Sequence, residues 1–183
     1  MPFRQTLSDT FRDGKNYKFL LMSVLVTGLS YGLYKGMLDN YLAEVLAMGE
    51  MDRGITEFFR ELPGIALVFI LAAFYMLSAE TMFKAGALIM LLGMGMHAIL
   101  PATKVLTTLA ICVYSLGEHI QLGMKSTLSL QYANEGKGGA AQGLQSSVNQ
   151  IGTLAGYFVI VLVFSLVSTN QPYRLFFAIA APS

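Results

Sequence analysis

Residues 105–130, VLTTLAICVYSLGEHIQLGMKSTLSL, make up an apolar stretch that is long enough to cross a lipid bilayer. Four other stretches also reach the roughly 20 residues that a membrane-spanning helix needs. The sequence therefore predicts an all-α polytopic membrane bundle with five full transmembrane helices. Their predicted ranges are 19–42, 57–77, 82–101, 105–130 and 141–167.

The composition of the chain agrees with this prediction and excludes several other classes of protein. Of the 183 residues, 55% are hydrophobic and only 13% are charged, whereas an average soluble domain carries about 25% charged residues. The mean hydropathy is +0.58. A net charge of +1 argues against a nucleic-acid-binding protein. The single cysteine, Cys112, excludes a disulfide within the chain.

The two ends of the chain predict its arrangement in the membrane. Residues 1–18 lack the apolar core of a signal peptide, so we expect a polar cytoplasmic segment before a bundle over 19–183. A sixth apolar stretch over 173–183 would rise only about 16 Å as a helix, which predicts a chain cut within its sixth helix. Basic residues are more frequent in the segments on the side of the N-terminus. This bias predicts a cytoplasmic N-terminus in a plasma (inner) membrane.

A polar face on the fourth stretch carries the leading candidate for a functional site. Helical spacing places four side chains on one stripe: Tyr114, Glu118, Gln121 and Lys125. Counted from the start of the stretch, Glu118 lies roughly 20 Å into a core of roughly 30 Å. Carboxylates inside membranes usually mark functional sites. His119, on the neighbouring stripe, is expected to orient or neutralise Glu118, and Lys125 is predicted to snorkel to the cytoplasmic interface.

The fifth stretch carries a second polar face at a matching depth. Gln145 and Asn149 lie on it, and Asn149 is roughly 12 Å from the inner boundary. The two polar faces are therefore predicted to meet in one layer, which Ser23 and Thr27 of the first stretch also reach. Amides of this kind also occur simply as hydrogen-bonding partners between membrane helices, so a structural role for the fifth stretch stays open.

The first stretch contains GLSYGLYKGMLDN at residues 28–40. Glycines at every fourth position, Gly28, Gly32 and Gly36, predict a groove where another helix approaches closely. Tyr31 and Tyr34 are candidates for neutral hydrogen bonds to a substrate. Lys35 is either a substrate contact or one half of an interfacial ion pair with Asp39, four residues away.

The second and third stretches carry fewer functional signals. Arg60 is predicted to pair with Glu57, three residues earlier. Pro63 removes a backbone donor, which predicts a kink or a late helix start. The third stretch has no polar stripe, so we expect it at the periphery of the bundle, with His97 at the membrane interface.

This arrangement resembles the N-terminal half of a major facilitator superfamily transporter, truncated within the sixth helix. The resemblance is based on short loops, a three-plus-three inverted repeat of helices, RELPG at 60–64 and SLGEH at 115–119. It implies that the first and fourth helices line a central cavity and that the second and fifth face the other half. The missing C-terminal half of the same transporter would then be the partner and supply the opposite wall.

We therefore expect a secondary active transporter that moves a small molecule by alternating access, with Glu118 as its proton-coupling or substrate-binding carboxylate. The candidate site residues are Glu118, His119, Gln121, Asn149, Gln145, Tyr31, Tyr34 and Lys35. No catalytic residue, cofactor or metal site is predicted. A non-catalytic membrane subunit or fragment is the alternative. An intramembrane enzyme with Glu118 and His119 as an acid–base pair is a weaker one, because adjacent helical residues point about 100° apart.

Overall fold

The computed structural model describes residues 3–12, 16–166, 173 and 177, with residues 3–5 described by their backbone alone. These residues form helices and no β-strand, which confirms the all-α prediction. The helices are α1 (Phe3–Thr10), α2 (Tyr17–Glu44), α3 (Glu50–Ala73), α4 (Ala79–Ile99), α5 (Lys104–Tyr132) and α6 (Gly138–Leu166).

Four of these helices, α2, α4, α5 and α6, are long and apolar enough to cross a membrane. The sequence predicts five full spans and the start of a sixth. The second predicted span, 57–77, corresponds to α3, which is not among the four. It carries six charged residues in its first twelve and so lacks an apolar stretch long enough to cross. The predicted sixth span, 173–183, lies outside the described residues apart from 173 and 177.

The bounds of α3 differ most from the prediction of 57–77. The helix begins seven residues earlier, at Glu50, and ends at Ala73. Its first turn is acidic, which suits the positive end of a helix dipole. The Asp52 carboxylate also accepts a hydrogen bond from the Gly49 backbone nitrogen at 3.4 Å. The predicted late start at Pro63 is therefore wrong, because α3 continues through this proline.

Side chains of α5 donate hydrogen bonds to two backbone carbonyl groups of α3 near Pro63. In a regular helix the Phe59 carbonyl would accept from the nitrogen of residue 63, but proline has no N–H. The Cys112 thiol instead donates to the Phe59 carbonyl oxygen at 3.3 Å. One turn further along α5, the Ser115 hydroxyl donates to the Arg60 carbonyl oxygen at 2.6 Å. The proline is tolerated because the neighbouring helix supplies donors.

Removal of the Cys112 donor is expected to destabilise the protein only while Pro63 is present. We expect Cys112→Ala to lower the free energy of unfolding by about 0.5–1.5 kcal/mol, the net value of one hydrogen bond. Cys112→Ser, which keeps a donor, should retain stability. In a Pro63→Ala background, which restores the backbone N–H, the cost of Cys112→Ala should shrink. Thermal unfolding in detergent measures all four variants, and an equal cost in both backgrounds would contradict this role.

A regular series of contacts holds α3 against α5. The paired residues are Asp52 with Lys104, Thr56 with Thr108, Arg60 with Ser115 and Gly64 with His119. Residue numbers rise together in both helices, so α3 and α5 run parallel. In the first of these contacts, the Lys104 ammonium donates to the Asp52 carboxylate at 2.5 Å and thereby lowers the pKa of that carboxyl group.

Close approach at glycines joins α2 to α6. A methyl group on Gly28 or Gly32 would collide with a backbone carbonyl of α6, and one on Gly152 or Gly156 would collide with a carbonyl of α2. The predicted groove is confirmed as a packing surface. It lets the two backbones pack in direct contact, as small residues do in membrane helices. We refer to these helices as the α2–α6 pair.

A second close pair consists of α4 and α5. Gly93 leaves no room for a methyl group beside the backbone of Tyr114, and Gly117 leaves none beside Gly86 and Met90. Here residue numbers rise in one helix and fall in the other, so the helices of this α4–α5 pair are antiparallel. Contacts within each pair are more extensive than those between α5 and α6 or between α2 and α5. The bundle is thus built from two tight pairs, with α3 alongside α5.

The N-terminal segment, predicted as a polar lead-in over 1–18, contains a short helix and an anchor. Phe11 is fully buried and its ring stacks on Tyr17 at 4.9 Å. The Asn134 side chain donates to the carbonyl oxygens of Ser8, Asp9 and Phe11 at 3.1–3.2 Å, which caps the end of α1. Arg12 donates through Nε to the Ala133 carbonyl oxygen at 2.8 Å. The segment therefore ties the start of α2 to the connection between α5 and α6.

Candidate functional site

A polar cavity of about 300 Å³ lies where the two helix pairs meet. We call it the central cavity. Thr27 and Tyr31 of α2 line it on one side with three residues of α6, and the α4–α5 pair lines the other side. Its full lining consists of Thr27, Tyr31, Met90, Glu118, Gln121, Leu122, Lys125, Asn149, Gln150 and Thr153. Eight of these ten residues carry a polar side-chain atom, in a bundle whose composition is mostly apolar.

Glu118 is the central residue of α5, fourteen residues from either end of the helix. Its side chain lines the cavity and is half-buried. Within the described part of the chain, no side chain forms an ion pair or hydrogen bond with its carboxylate. An isolated carboxylate at this position is costly unless water or a ligand reaches it. Glu118 is therefore the charged side chain of the cavity that is most available to a ligand.

Lys125 lines the cavity. Its ammonium group donates to the Asn149 side-chain oxygen at 2.8 Å, and both residues line the cavity. A lysine snorkels when water is its nearest good partner. Here an amide of the neighbouring helix accepts a hydrogen bond from the ammonium group, so the prediction of a lysine solvated by water alone is wrong. Asn149 also approaches the Thr153 hydroxyl through its amide nitrogen at 3.5 Å.

His119 faces α3 and does not line the cavity. Its Nδ1 donates to the Ser115 carbonyl oxygen at 2.8 Å, and its Nε2 lies 3.7 Å from the Glu61 carboxylate. The ring packs against Gly64, where a methyl group would come within 2.6 Å of Nε2. The two side chains make no direct contact, because the 100° step between adjacent helical residues directs them to different helices, and the predicted cooperation with Glu118 stays a prediction.

The charges of α3 next to His119 neutralise one another. Arg60 pairs with Glu57 at 2.5 Å, as its spacing predicts, and also with Glu61 at 2.6 Å. This cluster contacts Ser115 and His119 of α5, on the flank of the helix next to Glu118, and Glu118 is not among its direct ion-pair partners. It satisfies the charges of α3 locally and leaves the cavity carboxylate without the guanidinium as a direct partner.

The two tyrosines of α2 have different environments. Tyr31 lines the cavity. Tyr34 does not, because its ring is buried in the core, stacked on Tyr114 with 3.9 Å between ring centroids. The Tyr34 hydroxyl is within hydrogen-bond distance of His97 Nε2 at 3.0 Å. His97 itself lies in the last turn of α4 and is only 3% exposed. A buried tyrosine seeks a polar partner for its hydroxyl, and His97 provides one.

The remaining predicted residues lie at or beyond the edge of the site. Gln121 lines the cavity while its amide nitrogen donates to the Phe83 carbonyl oxygen at 3.3 Å. Gln145 is buried and is not part of the cavity wall. Lys35 is outside the wall as well, and it forms no ion pair with Asp39. Spacing alone does not enforce such a pair, because exposed ion pairs contribute only about 0–1 kcal/mol.

Two further wall residues were not among the predicted site residues. Gln150 follows Asn149 directly and turns into the cavity beside it. Thr153 lies one turn beyond Asn149 on the polar face of α6. Depth along the helices predicts Ser23 and Thr27 of α2 in the same layer as Glu118, and of these two only Thr27 lines the cavity. Comparison with protein-family models, with curated protein sequences and with solved structures finds no match to this chain.

Proposed function

We propose that the protein is a secondary active transporter of a small molecule and that this chain is built like the N-terminal half of a major facilitator superfamily transporter. The observation that carries the proposal is the Glu118 carboxylate in the wall of a polar cavity, halfway along α5 and between two helix pairs, with no ion-pair or hydrogen-bond partner in the described part of the chain. A binding site at mid-membrane depth, between units that can move relative to each other, is the feature that alternating access requires.

The direction of α3 supports a bundle of five spans. Four successive contacts between residues 52 and 64 show that it runs parallel to α5. Gly28 and Gly32 of α2 contact Asn149 and Thr153 of α6 in the same order, so α2 and α6 are also parallel. Helices that cross a membrane in turn alternate in direction, which makes the second parallel to the fourth and the first parallel to the fifth. We infer that α3 crosses the membrane with its charged turn held against α5.

Alternating access gives the Glu118 carboxylate a role in coupling. Desolvation disfavours the charged form of a carboxyl group, and a neighbouring cation favours it. A cavity that opens in turn to the two sides changes both conditions. Glu118 would then take up a proton from one side and release it to the other, with substrate binding linked to the step.

The positions of Glu118 and His119 favour a transporter over an intramembrane enzyme. An acid–base pair has to reach the same substrate, whereas Glu118 lines the cavity and His119 packs on α3. A non-catalytic membrane subunit is the remaining alternative. It predicts no protein-dependent movement of solute across a sealed vesicle.

Proton flux in vesicles tests the proposal through Glu118→Gln. The full-length protein is reconstituted with a pH-sensitive dye inside, and a panel of small amino acids, amines and carboxylates is added outside. We expect at least one compound to drive proton movement, and Glu118→Gln to reduce it at least about tenfold, the effect of about 1.4 kcal/mol. Glu50→Gln, a matched change at the exposed start of α3, is the control and should leave the flux unchanged.

Two results would refute the proposal. Unchanged proton coupling in Glu118→Gln would remove this carboxylate from the mechanism. Absence of protein-dependent flux with every compound of the panel, in vesicles shown to contain folded protein, would favour the membrane subunit.

A further inference from the structure

The central cavity contains two charges of opposite sign on one helix. Glu118 and Lys125 both line it, and they are seven residues apart on α5. Two turns of helix separate their backbones by about 10 Å along the axis. They lie on the same face, since a spacing of seven residues returns to nearly the same angle. The cavity is therefore electrically polarised along the helix axis, negative toward the middle of α5 and positive toward its end.

Neither charge neutralises the other. Lys125 and Glu118 do not form an ion pair, and the partner of the Lys125 ammonium is the neutral Asn149 side-chain oxygen at 2.8 Å. An ammonium group has three N–H donors, so Lys125 keeps capacity for an anionic group. Glu118 has no hydrogen-bond or ion-pair partner among the described residues, so its carboxylate keeps capacity for a cationic group.

The rest of the wall is suited to a small polar ligand. Thr27, Tyr31, Gln150 and Thr153 offer neutral hydrogen-bonding groups. A volume of about 300 Å³ is at the lower end of the range for ligand pockets, roughly 300–1,000 Å³. A ligand with only one charge would pair with one side chain and leave the other charge desolvated, which is unfavourable. A ligand with two opposite charges would satisfy both.

We propose that the central cavity binds a small zwitterion, with its cationic group at Glu118 and its anionic group at Lys125. This inference rests on the proposed transport function and names its substrate class. Asn149 acts as a positioning residue that holds the Lys125 ammonium toward the cavity. The ligand class follows from complementarity of charge along the α5 axis, and a purely cationic or purely anionic substrate is disfavoured.

Direct binding to the detergent-purified full-length protein tests the proposal without relying on transport. The probes are unbranched ω-amino acids with one to five methylene groups between amine and carboxylate, each with its matched alkylamine and alkyl carboxylate. Calorimetry gives a Kd for each. We expect at least one ω-amino acid to bind at least about tenfold more tightly than both of its singly charged analogues, a difference of about 1.4 kcal/mol. No such preference at any chain length would overturn the proposal.

Two single variants assign the two ends of the ligand. Glu118→Gln should weaken binding of the zwitterion and the amine but leave the carboxylate unchanged. Lys125→Gln should weaken binding of the zwitterion and the carboxylate but leave the amine unchanged. The exchange Glu118→Lys with Lys125→Glu should recover a preference for the zwitterion, which a merely misfolded variant would not. Equal loss for all three probe types in either single variant would contradict the assignment.

The results also separate this inference from the proposed function. Tight zwitterion binding without proton flux in vesicles would leave the binding site intact and refute the transporter. Proton flux driven only by singly charged compounds would support the transporter and refute the zwitterion site.

Discussion

Gly156→Ala is expected to lower the melting temperature of the protein, whereas Gly143→Ala on the same helix should leave it unchanged or raise it. A methyl group on Gly156 would collide with the Leu29 carbonyl oxygen and lie 2.7 Å from the Leu33 backbone nitrogen. These are backbone atoms of α2, so the collision is relieved only by separating the helices. Overpacking of this kind typically costs about 1–3 kcal/mol, or roughly 2–12 °C for a chain of this size.

The control variant carries the same chemical change without the collision. A methyl group on Gly143 would meet no atom within 4 Å, and alanine favours a helix over glycine by up to about 1 kcal/mol. Gly156→Ala should therefore lower the melting temperature, and Gly143→Ala should not. Thermal unfolding in detergent, read by size-exclusion chromatography and circular dichroism, measures both. Equal shifts in the two variants would mean that α2 and α6 are not packed as described.

Gly117→Ala should disrupt the second helix pair and the central cavity together. The added methyl group would lie 2.5 Å from the Gly86 carbonyl oxygen and 2.6 Å from the Met90 backbone nitrogen. Met90 and Glu118, the residue after Gly117, both line the cavity. We expect the overpacking cost of about 1–3 kcal/mol and, in addition, a loss of substrate-driven proton flux of at least about tenfold.

Gly123→Ala is the matched control on α5, because a methyl group there would meet no atom within 4 Å. It should keep both stability and flux. A third variant, Gly156→Ala, tests whether flux follows stability alone. If flux fell only in proportion to the amount of folded protein in Gly117→Ala, the packing at this position would have no specific connection to the cavity.

The features that were predictable from sequence depend on periodicity. Glycine at every fourth residue of α2 indicates a close helix contact, and Gly28 and Gly32 make that contact with α6. Depth along a helix is also predictable, because each residue adds about 1.5 Å. Counting residues places Glu118, Asn149 and Thr27 in one layer, and all three line the central cavity.

The orientation around a helix, set by its neighbours, was not predictable. Tyr31 and Tyr34 are one turn apart, yet only Tyr31 lines the cavity, while Tyr34 packs on Tyr114. The position of Lys125 depends on Asn149, a residue from another helix that accepts its hydrogen bond. The continuation of α3 through Pro63 depends on donors from α5 that no local pattern of α3 contains. Each of these errors concerns a tertiary partner.

The anchor of the N-terminal segment restricts how the two helix pairs can separate. The Arg12 backbone nitrogen donates to the Tyr132 carbonyl oxygen at 2.9 Å, and the Asn134 nitrogen donates to the Thr10 carbonyl oxygen at 2.8 Å. These bonds join the N-terminal segment, whose Phe11 stacks on Tyr17 at the start of α2, to the end of α5, and they hold the two elements together at one end of the bundle. Two helix pairs that are held together at one end separate more at the other end. The amplitude of any opening should thus grow with distance from this contact. It should be greatest where α2 ends at Glu44 and α5 begins at Lys104.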